Sequence, residues 1–478
     1  MFPSEANFTF SLPLLALFTV LLGWALILRR KLAAALLARQ TSDRLFRLSR
    51  QSDPLTGLPN QMLGRDRLAC ALSCAAHEGR MVAVAMIDLH NFKTINDSVG
   101  RPIADAAIRL GAARLVDCLR QTDRLSHWGG DQFLVVSDEL TEVEAVHAFM
   151  TMIIDRLSLP MTVEGYELVM SPAIGFAMYP QDGIDYEALS HKAEIALTYA
   201  KKAGRNTYRS FSAPMEERTA RRLNLHNDLR VALEREQLVL HYQPQIRLSD
   251  GKVVGIEALL RWNHPDHGII PPGEFIPIAE RCGLIIPLGE WVLHKACRQT
   301  VKWQEQGMPP TMMAVNVSAP QFRRGNLEKI VCSALAKSGL APRWLEIEMT
   351  EALLVEDADT IKGVIGRLAK RGIQFSIDDF GTGYSSLAYL KQFSVDKLKI
   401  DRSFISDLDH NIENLAIVKA ILQIAQSLGL ETIAEGVEDG RTLALLQNEG
   451  CGIAQGYYFS KPVPADELER FMMARSFQ

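Results

Sequence analysis

Seven short stretches of this sequence end an apolar run on a residue able to bind a cation, move a proton or hold a polar ligand. Glu257 closes Gly-Ile-Glu, Asn316 closes Ala-Val-Asn, and Glu348 closes Glu-Ile-Glu. Asp378 and Asp379 close Ser-Ile-Asp-Asp, Glu435 closes Thr-Ile-Ala-Glu, Lys399 and Asp401 sit in Lys-Leu-Lys-Ile-Asp, and Gln455 follows Ile-Ala. Taken singly, such a carboxylate is a loop cap or a surface ion pair, Asn316 a turn former, Gln455 a loop hydrogen-bonder and Lys399 a solvated charge. The recurrence at run after run is what carries the argument. Two like charges about 4 Å apart repel by roughly 4 kcal/mol at an effective dielectric near 20. Gathering Glu257, Glu348, Asp378, Asp379 and Glu435 would therefore force several to stay protonated unless cations joined them. Lys399 alone does not balance five carboxylates. Hard divalent ions such as Mg2+ or Mn2+ do, because they prefer oxygen ligands. Two such ions a few Å apart suit hydrolysis of a phosphodiester, since they stabilise both the attacking and the leaving oxygen.

Such a cluster needs a scaffold that delivers each residue to one place. Beyond Asn224 eight strand-like runs, centred on Leu240, Ile256, Val315, Ile347, Ser376, Leu398, Ile433 and Gly456, are almost all separated by helix-length segments. That pattern predicts a (β/α)8 TIM-like barrel over residues 223–475, whose active site lies at the C-terminal ends of its strands. Upstream, residues 53–211 alternate strands and helices and predict a mixed α/β domain. Its markers are the apolar run Met81–Asp88, the hairpin signal Gly129-Gly130, a strand over Met170–Tyr179 and an amphipathic helix over Tyr186–Ala203. Residues 212–222, short and polar with one Pro, are assigned as the linker.

A net charge of −4 gives no reason to expect a nucleic-acid partner, which favours a clustered basic surface. The seven cysteines show no zinc-like pairing and are expected to be reduced and mostly buried. Residues 10–28 form an uncharged apolar run that, as a helix, is roughly 28 Å long, close to the hydrocarbon core of a bilayer. Arg29-Arg30-Lys31 follow at once, so a single-pass helix contacting membrane lipid is expected in the inner (cytoplasmic) membrane, with the C-terminal bulk in the cytoplasm. Residues 1–9 are then a short tail with no room for a sensory domain. Residues 29–52 are expected to form a juxtamembrane helix, either a short parallel coiled coil or a helix lying along the lipid.

The second domain resembles the EAL family of cyclic di-GMP phosphodiesterases. The motifs are Glu257-Ala258-Leu259-Leu260-Arg261-Trp262, Asn316-Val317-Ser318, Glu348-Met349-Thr350-Glu351, Asp378-Asp379-Phe380-Gly381-Thr382-Gly383, Lys399-Ile400-Asp401, Glu435-Gly436-Val437-Glu438 and Gln455-Gly456-Tyr457. The resemblance implies that Glu257, Asn316, Glu348 and Asp378 hold one metal, and that Asp378, Asp379 and Glu435 hold the second. It also implies that Lys399 positions the attacking water, with Glu257, Glu435 and Asp401 completing the catalytic set. Arg261, Leu259 and Gln455 would contact substrate, and Glu351 would pin the segment Asp379–Leu387, coupling metal occupancy to contacts in a homodimer. The implied reaction converts cyclic di-GMP to linear pGpG.

The first domain is similar to the GGDEF family, which condenses GTP into cyclic di-GMP. Asp53-Pro54-Leu55-Thr56-Gly57-Leu58-Pro59-Asn60, Asp88, Phe92-Lys93, Asn96-Asp97, Asp105 and Ala200-Lys201-Lys202-Ala203-Gly204-Arg205-Asn206 carry the likeness. Its signature, however, runs Gly129-Gly130-Asp131-Gln132-Phe133. Gln132 stands where the family has Glu, and an amide accepts no proton at neutral pH, so general-base help worth roughly 10²–10⁴-fold is lost. His90, Arg101, Ala104 and His127 are further departures. The domain is therefore expected to have lost cyclase activity while Asp88, Lys93, Asn96, Asp105, Asp131, Lys201 and Arg205 still hold GTP around Mg2+. Arg120 and Asp123 match a product-inhibition site, with an intrahelical surface pair as the alternative. Two other readings stand beside the hydrolase. A non-catalytic cyclic di-GMP receptor is opposed by the complete ligand set, and a bifunctional cyclase/phosphodiesterase is opposed by Gln132.

Overall fold

Along one nine-residue strand, β1 (Val82–His90), the side chains divide between two cores. Ala83, Ala85, Ile87 and Leu89 pack beneath the helices Arg101–Cys118 and Val143–Leu157. Val82, Val84 and Met86 pack beneath Gln61–Glu78 and Tyr186–Ala203. A period of two is what a strand covered on both faces requires. Asp88 falls on the second face, which brings it under the helix that carries Lys201. The computed structural model describes residues 24, 29–31, 51–90, 92–138, 142–324, 326–354, 358–382, 390 and 392–475. The expected span 10–28, apart from Trp24, and most of the segment 29–52 lie outside them. Among the described residues no helix is long and apolar enough to cross a membrane.

The chain divides into two units, residues 1–220 and 221–478. In the first, β2 (Arg124–Gly129), β3 (Gln132–Ser137), β4 (Ser171–Tyr179) and β5 (Thr207–Ser210) join β1 in a sheet of order β2-β3-β1-β4-β5. The turn Gly129–Asp131 joins β2 to β3 as a hairpin, as Gly129-Gly130 predicts. Gly175 in β4 lies directly under the helix Tyr186–Ala203: a Cβ there would stand 1.9 Å from the Leu197 nitrogen and 2.3 Å from the Ala193 oxygen. Backbone on both sides leaves nothing free to move. Gly175→Ala is expected to destabilise this unit by about 3 kcal/mol, read as a lowered urea midpoint in its circular-dichroism transition.

The expected linker is the first part of the helix Ala213–Ala232, with Pro214 in the first turn, where a missing N–H costs no hydrogen bond. The second unit is a closed eight-stranded barrel. Its staves are β6 (Leu238–Arg247), β7 (Val253–His264), β8 (Met312–Asn316), β9 (Leu345–Thr350), β10 (Gln374–Phe380), β11 (Lys397–Ile400), β12 (Glu431–Ala434) and β13 (Ile453–Ala454). A (β/α)8 barrel implies parallel staves; the first stave departs from this. β6 runs antiparallel to both β7 and β13. Only Leu248–Lys252 connect β6 to β7, and a parallel crossover needs about a dozen residues or more. Gly251, at φ 70°, makes the tight turn. The last stave ends at Ala454, two residues before its expected centre, because Gly456 is where the chain crosses Val437. A Cβ on Gly456 would lie 2.1 Å from the Val437 oxygen.

All seven cysteines are free, but only Cys297 and Cys451 are buried. Cys70 and Cys74 are exposed because the helix Gln61–Glu78 turns Leu68, Ala71, Leu72 and Ala75 to the core, leaving those two on the opposite face.

Candidate metal centre

In the barrel, alternate residues of each stave point inward while the others pack under the surrounding helices. Leu345, Ile347 and Met349 of β9 belong to the outer core, so Glu346 and Glu348 face the interior. The same alternation turns Glu257 of β7, Asn316 of β8 and Lys399 of β11 toward the axis. Glu435 and Gln455 follow the ends of β12 and β13. Their N–H groups donate to the carbonyls of Ile400 (3.1 Å) and Ala434 (2.8 Å), which extends the ladder one step and holds both residues at the rim.

Asp378 and Asp379 pose a geometric problem, since consecutive strand residues point to opposite faces. The solution is a register shift between Ile377 and Phe380 where β10 meets β11, with Asp379 at φ 55°. A bulge re-aims a side chain in this way, and a non-glycine residue held at positive φ is a strain the surroundings must sustain. With it, carboxylate oxygens of Asp378, Asp379 and Glu435 all lie within 4.8 Å of one another. Glu351 sustains the turn: its carboxylate accepts the Gly381 N–H at 2.8 Å. Residues 383–387 of the expected loop lie outside the described residues.

Lys399 is the hub. Its Nζ is 2.6 Å from Glu435, 2.7 Å from Glu348, 3.2 Å from Asp378 and 3.6 Å from Glu257, and it is fully buried. Burial would lower this lysine, but Asp378, Glu257, Glu348 and Glu435 hold it well above its ordinary value. Burial likewise opposes ionisation of Glu257, yet Lys399 and the Gln455 and Asn316 amides hold it below the usual range. Glu348 has no such surplus of donors, and burial with the Glu257 charge raises it well above the usual range. Burial, reinforced by Asp378 and Glu257, pushes Glu435 up to about 8. Burial, then Asp378 and Asp401, pushes Asp379 up to about 6.

These residues fit divalent metal. Glu348 Oε1 is buried without a hydrogen-bond partner, and one lysine faces more carboxylates than it can neutralise. An all-oxygen set of this kind suits hard cations.

Asp401 caps the helix Arg402–Ile405, accepting from the Ser403 N–H (2.9 Å) and hydroxyl, and it lies against Asp379. It therefore orients the cluster from its edge. Arg261, half-buried, donates to the Leu260 carbonyl at 2.8 Å, beside half-buried Leu259. Sequence reasoning missed Gln243, whose Oε1 accepts from Gln455 Nε2 at 2.9 Å while its Nε2 donates to the Ser460 carbonyl. The signal was available: Gln243 and Gln245 are polar at a spacing of two inside an apolar strand.

In the first unit, Gln132 Nε2 donates to Asp88 Oδ2 at 3.0 Å, and Lys201 pairs with the same oxygen. The amide thus takes up one side of the carboxylate expected to hold metal. Asp131 sits in the hairpin turn, where its carbonyl accepts the Leu89 N–H. Lys93 and Asn96 belong to the helix Phe92–Val99, Asp105 lies 3.9 Å from Arg101, and Arg205 is exposed. Arg120 and Asp123 are not an intrahelical pair. The helix ends at Cys118, and Asp123 Oδ2 accepts the Arg120 backbone N–H at 2.9 Å in the following turn.

The family model described as EAL domain matches residues 226–462, and that described as diguanylate cyclase, GGDEF domain matches residues 50–207. The bifunctional diguanylate cyclase/cyclic di-GMP phosphodiesterase MucR of Pseudomonas aeruginosa is 40% identical over 454 residues, covering 95% of this chain and 66% of the relative. The cyclic di-GMP phosphodiesterase NbdA of the same organism is 39% identical over 425 residues, covering 89% of this chain and 54% of the relative. The chain thus spans between about half and two thirds of the length of these curated relatives. A solved structure described as PaMucR phosphodiesterase in complex with c-di-GMP is 47% identical, with a TM-score of 0.50, covering 51% of this chain and 99% of that one.

Proposed function

The chain belongs to the tandem GGDEF–EAL family, and on that premise we propose that it hydrolyses cyclic di-GMP to linear pGpG at the rim of its barrel. The observation that carries this reading is the convergence of Glu257, Glu348, Asp378 and Glu435, from separate staves, within 3.6 Å of one buried ammonium. Glu257, Asn316, Glu348 and Asp378 would hold one ion, and Asp378, Asp379 and Glu435 the other. When bound, two Mg2+ or Mn2+ ions supply charge stabilisation to the attacking and leaving oxygens. The protein's own residues do the rest. Lys399 keeps the carboxylates aimed at one point and places a fixed positive charge beside the reacting phosphate. Asn316 and Gln455 orient Glu257 through bonds of 2.7 and 2.5 Å. Arg261 and Leu259, on the same strand, receive substrate phosphate and base.

The test is direct. The purified protein, given cyclic di-GMP with Mg2+, is expected to yield pGpG on chromatography, and Glu257→Ala to lower the rate by about 10³-fold or more. Tight binding without turnover in the parent protein would reject hydrolysis and select a receptor.

The first unit is a GTP-binding domain without cyclase activity. Gln132 supplies no base and, with Lys201, holds Asp88, while the exposed Arg205 is placed to meet phosphate. GTP given to Glu257→Ala protein is therefore expected to yield no cyclic di-GMP, and accumulation of that product would overturn the assignment. The apolar run 10–28 followed by Arg29-Arg30-Lys31 supports a single-pass anchor in the inner membrane with both domains cytoplasmic. Residues 29–52 would bring two copies together as a homodimer.

A further inference from the structure

Two residues below the ligand row, the same staves carry a second pair of opposite charges. Glu346 precedes Glu348 on β9, and Lys397 precedes Lys399 on β11, so each points into the barrel on the same side as the residue above it. Lys397 Nζ lies 2.7 Å from Glu346 Oε2, just as Lys399 Nζ lies 2.7 Å from Glu348 Oε2. All four side chains are buried. β10 runs between β9 and β11, so both bridges span about 10 Å of sheet. The β10 residue in register with Glu348 and Lys397 is Ser376, small enough for the side chains to meet above it. Lys397 also lies 3.9 Å from Glu431, which is exposed at the start of β12. The interior of the barrel is therefore two storeys of charge, an upper one with too many carboxylates and a lower one in which one carboxylate meets one ammonium, Glu346 Oε1 being left without a hydrogen-bond partner.

We propose that the Glu346–Lys397 pair positions the metal site, keeping Lys397 off the free Oε1 of Glu348 and preventing Lys399 from being drawn down to Glu346. A buried charge that loses its partner turns to an opposite charge within reach that is itself buried and uncompensated, because remaining unpaired costs more than moving. Without the Glu346 charge, Lys397 is left between Glu431, 3.9 Å away but exposed and screened by solvent, and the buried, partnerless Oε1 of Glu348; it turns to the latter and competes with metal for that oxygen. Without the Lys397 charge, Glu346 draws Lys399 downward. Glu348 then stays open to metal while the upper site loses its fixed cation. The two losses have different signatures.

This inference rests on the metal-dependent reading of the rim, and its test uses Mn2+ binding to the full chain by calorimetry, without substrate. Glu346→Gln is expected to weaken Mn2+ binding by about tenfold or more, the effect of losing a partner that orients a ligand. Lys397→Met is expected to keep Mn2+ affinity within about threefold of the parent, or to raise it, while lowering kcat by about tenfold with KM unchanged. The double variant, with no unpaired charge on the lower storey, is expected to restore Mn2+ affinity to within about threefold. A merely structural pair would lower the melting temperature in both single variants without this split. Mn2+ binding in Glu346→Gln equal to the parent, or weakened alike in both single variants, would overturn the proposal. Parent protein that binds Mn2+ but leaves cyclic di-GMP intact would instead reject the hydrolase reading.

Discussion

Lys399→Met is expected to lower turnover of cyclic di-GMP by about 10³-fold or more, with a smaller change in KM, measured by chromatography of pGpG. Methionine keeps most of the stem volume and removes only the charge, so packing changes little. What goes is a cation held 2.6–3.6 Å from four carboxylates at the point where substrate phosphate would meet the rim. Removing one fixed electrostatic group from a dry site typically costs roughly 10²–10³-fold. Here the carboxylates that Lys399 aims would also splay apart. The same variant carries a stability signature. Breaking a buried ion pair costs about 3–5 kcal/mol because the abandoned charge stays buried. Divalent metal supplies the missing positive charge, so the difference in melting temperature between metal-free and Mn2+-loaded protein should widen in Lys399→Met. Turnover within tenfold of the parent would remove Lys399 from the mechanism.

Much of this site was legible before any coordinates. Glu257, Asn316, Glu348, Asp378 and Lys399 stand out because each ends an apolar run, and a strand end is where a barrel places its chemistry. The two faces of β1 were legible for a similar reason, a continuous apolar run between helix-length segments. The direction of β6 was not deduced, although its signal was present. Asp250-Gly251 between two apolar strands is a hairpin signal, and the short connection forbids a parallel crossover.

Other features lay beyond sequence reasoning for physical reasons. Asp378 and Asp379 share one side only because the ladder slips at that point, and a bulge has no residue signature when the residue at positive φ is Asp. The lower storey was hidden by a convention. Alternating Leu-Glu-Ile-Glu-Met normally means polar residues facing water, whereas in β9 helices cover the apolar face and the glutamates point inward. Both glutamates are fully buried. Which face of a strand meets solvent is decided by what packs on it, and that is settled only by the closed barrel.

The affinity of the rim for Mn2+ is expected to fall by about 100-fold as pH is lowered from 8 to 6, one decade per pH unit for each proton displaced. The sign follows from the shifts. Glu435 sits at about 8, above the ordinary carboxylate value, so at neutral pH the metal-free rim holds a proton that metal must expel. Glu348, raised well above the usual range by burial and the Glu257 charge, is shifted in the same direction. Asp379, at about 6, steepens the dependence further only below that pH. Stability of the metal-free protein runs the other way. A carboxylate whose folded value is raised contributes most while protonated, so stability should decline as pH rises from about 4.5 toward 8. Mn2+ should abolish that decline, because bound metal replaces the proton. Calorimetry in buffers of different ionisation heat measures the protons released directly. Glu435→Gln, which has no proton to give up, should flatten the slope between pH 6 and 8 while weakening binding at pH 8. Mn2+ affinity that stays constant across this range would mean that the carboxylates are already ionised without metal, and that Lys399 alone balances the rim.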